Sequence, residues 1–147
     1  MKVYMGSTQI KSQKTAMEVM DVLRRSGAQQ IAVDYGAGGK IVGMRFIFPI
    51  ANKPVCFMLP LRIEGLKKVM RSNNKEQVER TAWRQLLRWV QSQLAMIEVG
   101  TLHAAEVYAP YVVMPNGKLM GEMLLEHGSP KELAREVLAG SGLLISA

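Results

Sequence analysis

The sequence is poor in the side chains that carry most enzyme and metal chemistry. It has one cysteine, two histidines and few aromatics. Cys56 has no partner for an internal disulfide, so the fold must rest on its core. It lies in an apolar run, which reads as a buried reduced thiol, since a reactive one needs a basic neighbour. Neither His103 nor His127 has a second histidine or a cysteine within four residues, so no zinc-type ligand set forms locally. No Gly-x-Ser-x-Gly elbow and no Walker loop is present. The carboxylates recur at ordinary surface spacings, Glu76 with Arg80 and Glu132 with Arg135 and Glu136, and no buried acid pair is indicated. These absences point to no catalytic residues, no metal and no cofactor.

Long hydrophobic runs are missing as well. The stretch from Ile41 to Leu61 is broken by Arg45, Pro49, Asn52, Lys53 and Pro54, well short of the roughly 20 apolar residues of a membrane span. The start, Met-Lys-Val-Tyr-Met-Gly, turns polar without an apolar signal region. With a single cysteine, this predicts a cytoplasmic protein that does not enter a membrane.

What is present is an apolar fraction of 48% in 147 residues, enough for one domain with a real core. Thr15-Ala-Met-Glu18 reads as a capping box opening a helix over 15–26 that ends at Gly27. Gln30 to Tyr35 alternates, with Ile31, Val33 and Tyr35 on one face, and Gly36-Ala-Gly-Gly39 supplies a tight connection. Ile41 to Phe48 alternates again, Met44, Phe46 and Phe48 opposite Arg45, and Pro49 is expected to end it. After a turn at Asn52-Lys53-Pro54, Val55 to Leu59 makes a third strand. Helices are predicted over 62–71 and 75–99, the second capped by Asn74 with Gln77. A short helix is predicted over 102–108, a turn at Pro115-Asn-Gly117, then helices over 118–126 and 130–139. The fold class is α+β: a three-stranded antiparallel β-meander packed against several helices, one of about 25 residues. Residues 1–12 and 140–147 are expected to be flexible ends of a single domain.

Charge is the most informative property. Residues 1–95 hold 16 Lys and Arg against 6 Asp and Glu, or +10, whereas residues 96–147 hold 3 against 6, or −3. Such a split suits a polyanionic or acidic partner for the first two-thirds. Arg80, Arg84 and Arg88 recur every four residues along one helix, with Lys67, Lys68 and Arg71 just upstream. Arginine forks match phosphate oxygens, so a row of them suits a nucleic-acid backbone. Arg45, on the sheet face turned away from the core, extends the set. The bland alternative is a solvated helix face whose arginines pair with acids elsewhere. Gly36-Ala-Gly-Gly39-Lys40 is no phosphate loop, because it joins two strands and opens no helix. Trp83 and Trp89 flank the apolar stripe and read as core, as do Phe46, Phe48 and Phe57. The eleven methionines read as adaptable core filler, with a Met-rich partner surface as the sharper alternative.

Glu79-Arg-Thr-Ala-Trp-Arg84, Trp89-Val-Gln-Ser-Gln-Leu-Ala-Met-Ile-Glu98, Pro110-Tyr and Pro115-Asn-Gly-Lys118, with Gly27-Ala and the glycine-rich hairpin upstream, resemble a family of small uncharacterised proteins of tailed phages and prophages over residues 14–126. The resemblance carries no catalytic residues over. It implies a phage accessory protein acting inside a bacterial cell. The function expected is non-enzymatic binding of nucleic acid, DNA or RNA, through Lys67, Lys68, Arg71, Arg80, Arg84, Arg88 and Arg45, backbone-directed and with little sequence preference. Two alternatives remain: an inhibitor docking on an acidic host protein such as a defence effector or transcription component, and a nucleotide-binding protein. A homo-oligomer stays open.

Overall fold

The computed structural model describes residues 2–128, 131, 132, 134 and 135. Of the helix expected over 130–139, Lys131, Glu132, Ala134 and Arg135 are helical; the rest of it, with 140–147, lies outside the described residues.

Alternation builds the sheet. Strands β1 (Gln30–Tyr35), β2 (Ile41–Ile50) and β3 (Lys53–Pro60) pair antiparallel in the order β1-β2-β3, which is the predicted meander. Met44, Phe46 and Phe48 of β2 and Phe57 and Leu59 of β3 are buried on one face. Phe46 stacks on Phe57 at 5.5 Å between ring centroids, and Phe46 meets Tyr108 edge-on at 5.3 Å. The opposite face carries exposed Arg45 and half-buried Cys56, so the thiol lies outside the core in which it was expected. A register shift between Asp34 and Tyr35 ends the alternation early and leaves Tyr35 and Val42 exposed.

Pro49 does not end β2. The strand runs on to Ile50, and Ala51 and Asn52, both at positive φ, make a two-residue turn into Lys53. β1 pairing stops at Ile47, so Pro49 has no neighbour there to need its missing N–H. On the other side it faces Pro54, one step from the turn, where an antiparallel ladder makes no bond. Gly43 is fixed by close approach: a Cβ there would sit 2.8 Å from the Leu59 carbonyl oxygen.

Helix α1 spans Ser12–Arg25 and starts three residues before the expected capping box. Thr15 is therefore an interior position, fully buried, and its hydroxyl donates to Lys11 O at 3.4 Å. Gly27, at φ 109°, follows the helix, and Ala28 N–H reaches Leu23 O at 3.0 Å in a left-handed termination.

Helix α2 (Glu64–Met70) buries none of its residues, and Arg71 closes it in a left-handed conformation. Helix α3 (Lys75–Glu98) is the long one. Asn74 Oδ1 accepts from Gln77 N–H at 3.2 Å, the cap that the sequence indicates. Its buried face, Trp83, Leu87, Val90 and Leu94, packs with α1 and the sheet in one core. The segment before α1, expected to be loose, runs along α3: Gln77 Nε2 donates to Gly6 O and Thr8 O, and Gln85 Nε2 to Tyr4 O.

After Gly100, α4 (Ala104–Tyr108) delivers Tyr108 into the aromatic core. Val112 then pairs with Phe57 along the outer edge of β3, and Val113 N–H donates to Cys56 O. The predicted turn at Pro115-Asn-Gly117 leads into α5 (Met120–His127), whose Met123 packs with Met114 in a small second cluster. The methionines split: Met44, Met114 and Met123 are buried, whereas Met17 and Met96 are exposed.

Candidate functional site

The arginine row does not form one surface. A step of four residues advances around a helix by about 40°, so Arg80, Arg84 and Arg88 drift around α3. The middle of that drift lies under α1. Arg84 is buried, and its Nη1 donates to both carboxylate oxygens of Glu18 at 3.2 Å and to the Thr15 hydroxyl at 3.4 Å. It is a packing and ion-pair residue, and it is withdrawn from the proposed phosphate contacts. The residues read as a capping box are its partners. Arg80 is half-buried, ion-paired with Glu76 at 3.6 Å, and shares a surface hollow with Lys11. Arg88 is exposed beyond α1 and donates to Gln91. Arg45 is exposed, but its Nε donates to both oxygens of Asp34 at 3.0 and 2.9 Å.

The free cations gather elsewhere, at the corner where α2 turns into α3. Arg62, Lys67, Lys68, Arg71 and Lys75 are all exposed, and none makes an ion pair among the described residues. The only acid between residues 62 and 75 is Glu64. Lys67, Lys68 and Arg71 were singled out in the sequence. Arg62 and Lys75, the first residues of the helices predicted over 62–71 and 75–99, were not singled out because neither belongs to the four-residue row of Arg80, Arg84 and Arg88. A count of charge across the whole α2–α3 connection finds them.

Three surface cavities border this corner. In the first, about 270 Å³, Lys67 and Lys75 meet Lys40 from the glycine-rich turn, with Ser72, Glu64 and Glu79. Lys40 is tied to Glu79 at 2.9 Å, so its charge is partly answered. A second, about 280 Å³, lies on the other side of α2 between Arg62, Leu66, Gln85, Leu86, Trp89 and Tyr111. Arg62 also borders a third with Arg45 and Glu122, which joins the corner to the outer sheet face. Trp89 packs edge-on against Tyr108 and Tyr111 at 5.8 and 5.7 Å. Trp83 is buried at 2% exposure, and Trp89 is half-buried.

Among the described residues no group of three His, Cys, Asp or Glu side chains could hold a metal ion. No helix among them is long and apolar enough to cross a membrane. His103 precedes α4, its backbone N–H donating to Glu106 Oε1. The marked pKa shift belongs to the core: burial pushes the Tyr108 phenol up to about 12, opposed by the nearby Ser26 hydroxyl. Glu126, on the surface, is held below its usual range by the Lys118 ammonium. No protein-family model, curated protein or solved structure matches the chain.

Proposed function

We propose that this protein binds nucleic acid without catalysis, through the α2–α3 corner, by contact with the phosphate backbone. The observation that carries this reading is the run of five exposed cations, Arg62, Lys67, Lys68, Arg71 and Lys75, with one acid among them and no ion pair among the described residues. A protein that spends its cations on its own stability pairs them, as at Arg84 and Glu18. Unpaired cations crowded on and around one short helix cost self-repulsion that a polyanion relieves. Backbone contacts carry no base information, which predicts little sequence preference. The phage setting implied by the resemblance belongs to the same proposal: an accessory protein in a bacterial cytoplasm.

Fluorescence anisotropy with labelled DNA and RNA, titrated against salt, tests it. Each lost phosphate contact lowers the log–log salt slope by about 0.9 on duplex DNA. Lys67→Glu with Lys68→Glu is expected to weaken binding and reduce the slope by about two. Unchanged affinity and slope would remove this corner from the reading.

Val69 gives the rival reading its own support. It is 46% exposed among Lys68 and Arg71, an apolar residue ringed by charge as in a protein interface. On that reading the corner docks on an acidic host protein. Capture of one host protein that survives nuclease treatment and is lost in the Val69→Asp variant would favour it.

A further inference from the structure

We propose that the groove between α2, α3 and Tyr111 receives an unstacked nucleobase, so that the ligand of the basic corner is single-stranded. This rests on the corner being a nucleic-acid site and names the form it takes. The groove has the parts that a base needs and a duplex cannot use. Trp89 and Tyr111, half-buried and edge-on to each other at 5.7 Å, make an aromatic wall, and Leu66 and Leu86 an apolar floor. Nucleobases stack on such surfaces whatever their identity, because every base has a π-face. Exposed Arg62 stands at the lip, where a phosphate attached to the inserted base would lie. Gln85 lines the same groove. Its Nε2 is committed to Tyr4 O at 2.9 Å, which fixes the amide and leaves Oε1 without a partner among the described residues. That oxygen is an acceptor for a base N–H, the N3–H of thymine or the exocyclic amine of another base.

Charge complementarity selects a nucleic acid over an apolar peptide. The groove opens beside Arg62 and Leu66, against the helix that carries Lys67 and Lys68 and is closed by Arg71. The volume, about 280 Å³, admits one base and its sugar and is far too small for a base pair with its backbones. In a duplex the bases are stacked away from protein, and only phosphates would reach the corner.

The wild-type protein gives the first readout. Trp83 is buried, so a change in tryptophan emission on binding reports Trp89. Oligothymidine of about ten nucleotides is titrated beside a duplex of equal length, by anisotropy and by tryptophan emission. The expected result is tighter binding of the single strand by tenfold or so, with quenching by the single strand alone. Tyr111→Leu is expected to abolish that preference while leaving duplex affinity unchanged, and Tyr111→Phe to retain it. Arg62→Ala, an exposed change that spares the core, weakens the single strand more than the duplex. Equal affinity for both forms with unchanged emission overturns the groove and leaves the corner standing. No binding of either form at low salt overturns both. Emission that changes only with protein concentration assigns the groove to a second copy of the chain and overturns the proposal.

Discussion

Arg84 is nearly out of water, and its only charged partner among the described residues is Glu18, half-exposed on α1. Removing one member of such a pair leaves a desolvated charge, which costs more than the pair contributes. The rim exposure of Glu18 moderates this, so Glu18→Ala is expected to lower stability by about 1–3 kcal/mol in urea unfolding. Glu98→Ala, which breaks the exposed Arg25 pair, should cost under about 1 kcal/mol. Equal losses for the two variants would mean that Arg84 is solvated. Tyr108 is the second buried polar residue of consequence. Among the described residues its hydroxyl has no partner in full hydrogen-bonding geometry, the Ser26 hydroxyl interacting only weakly, and burial raises its pKa from 10.0 to about 12. Below pH 10 the phenol is neutral in both states and stability is whole. Between pH 10 and about 12 the unfolded chain releases the proton and the folded chain does not. Stability therefore falls with rising pH, by roughly 3 kcal/mol in all. Tyr108→Phe should be close to neutral at pH 7 and lose this part of the alkaline decline. Stability curves of the two proteins that stay parallel through that range would count against it.

At the scale of elements, helix ends and strand alternation were readable because local chemistry decides them. Asn74 is the clearest case, and Asn74→Ala should lower stability by about 1 kcal/mol in thermal or urea unfolding, by leaving Gln77 N–H without its acceptor. An unchanged midpoint would mean that water replaces the cap. The Thr15–Glu18 reading failed for a physical reason: the same spacing serves a capping box and an interior pair that reaches another helix, and only the packing of α1 on α3 selects between them. The arginine row failed alike, since a periodicity of four fixes a helix face but not what covers it. Arg62 and Lys75 were legible only as charge flanking α2, since neither belongs to the row of Arg80, Arg84 and Arg88. The groove was not legible, because Arg62, Gln85, Trp89 and Tyr111 come from three separate segments. Helix α2 buries nothing, so Lys67→Glu with Lys68→Glu should leave the melting temperature within a degree or two. A large drop would show that α2 is held by those lysines and would compromise their use as a binding probe.

Across the whole molecule, the +10 of residues 1–95 and the −3 of residues 96–147 meet at the sheet. Val112 and Val113 bring the C-terminal part against β3, and this sets Glu122 in the cavity that Arg45 and Arg62 share. Arg45 is answered by Asp34 already, so a second carboxylate there makes the outer sheet face a poor path for phosphates. A strand leaving Arg62 is thereby directed toward α2 and Trp89 and away from the sheet. Glu122 Oε1 also accepts from Leu119 N–H at the start of α5, a role that a glutamine oxygen can keep. Glu122→Gln should therefore preserve stability and remove one repulsive charge beside Arg62. The expected gain is a few-fold in affinity for nucleic acid at low salt, fading as ionic strength rises and the Debye length falls below about 8 Å. Arg45→Ala should change affinity little, since its guanidinium is engaged. If Glu122→Gln leaves affinity unchanged and Arg45→Ala weakens it strongly, the phosphates run over the sheet, and the path along α2 is wrong.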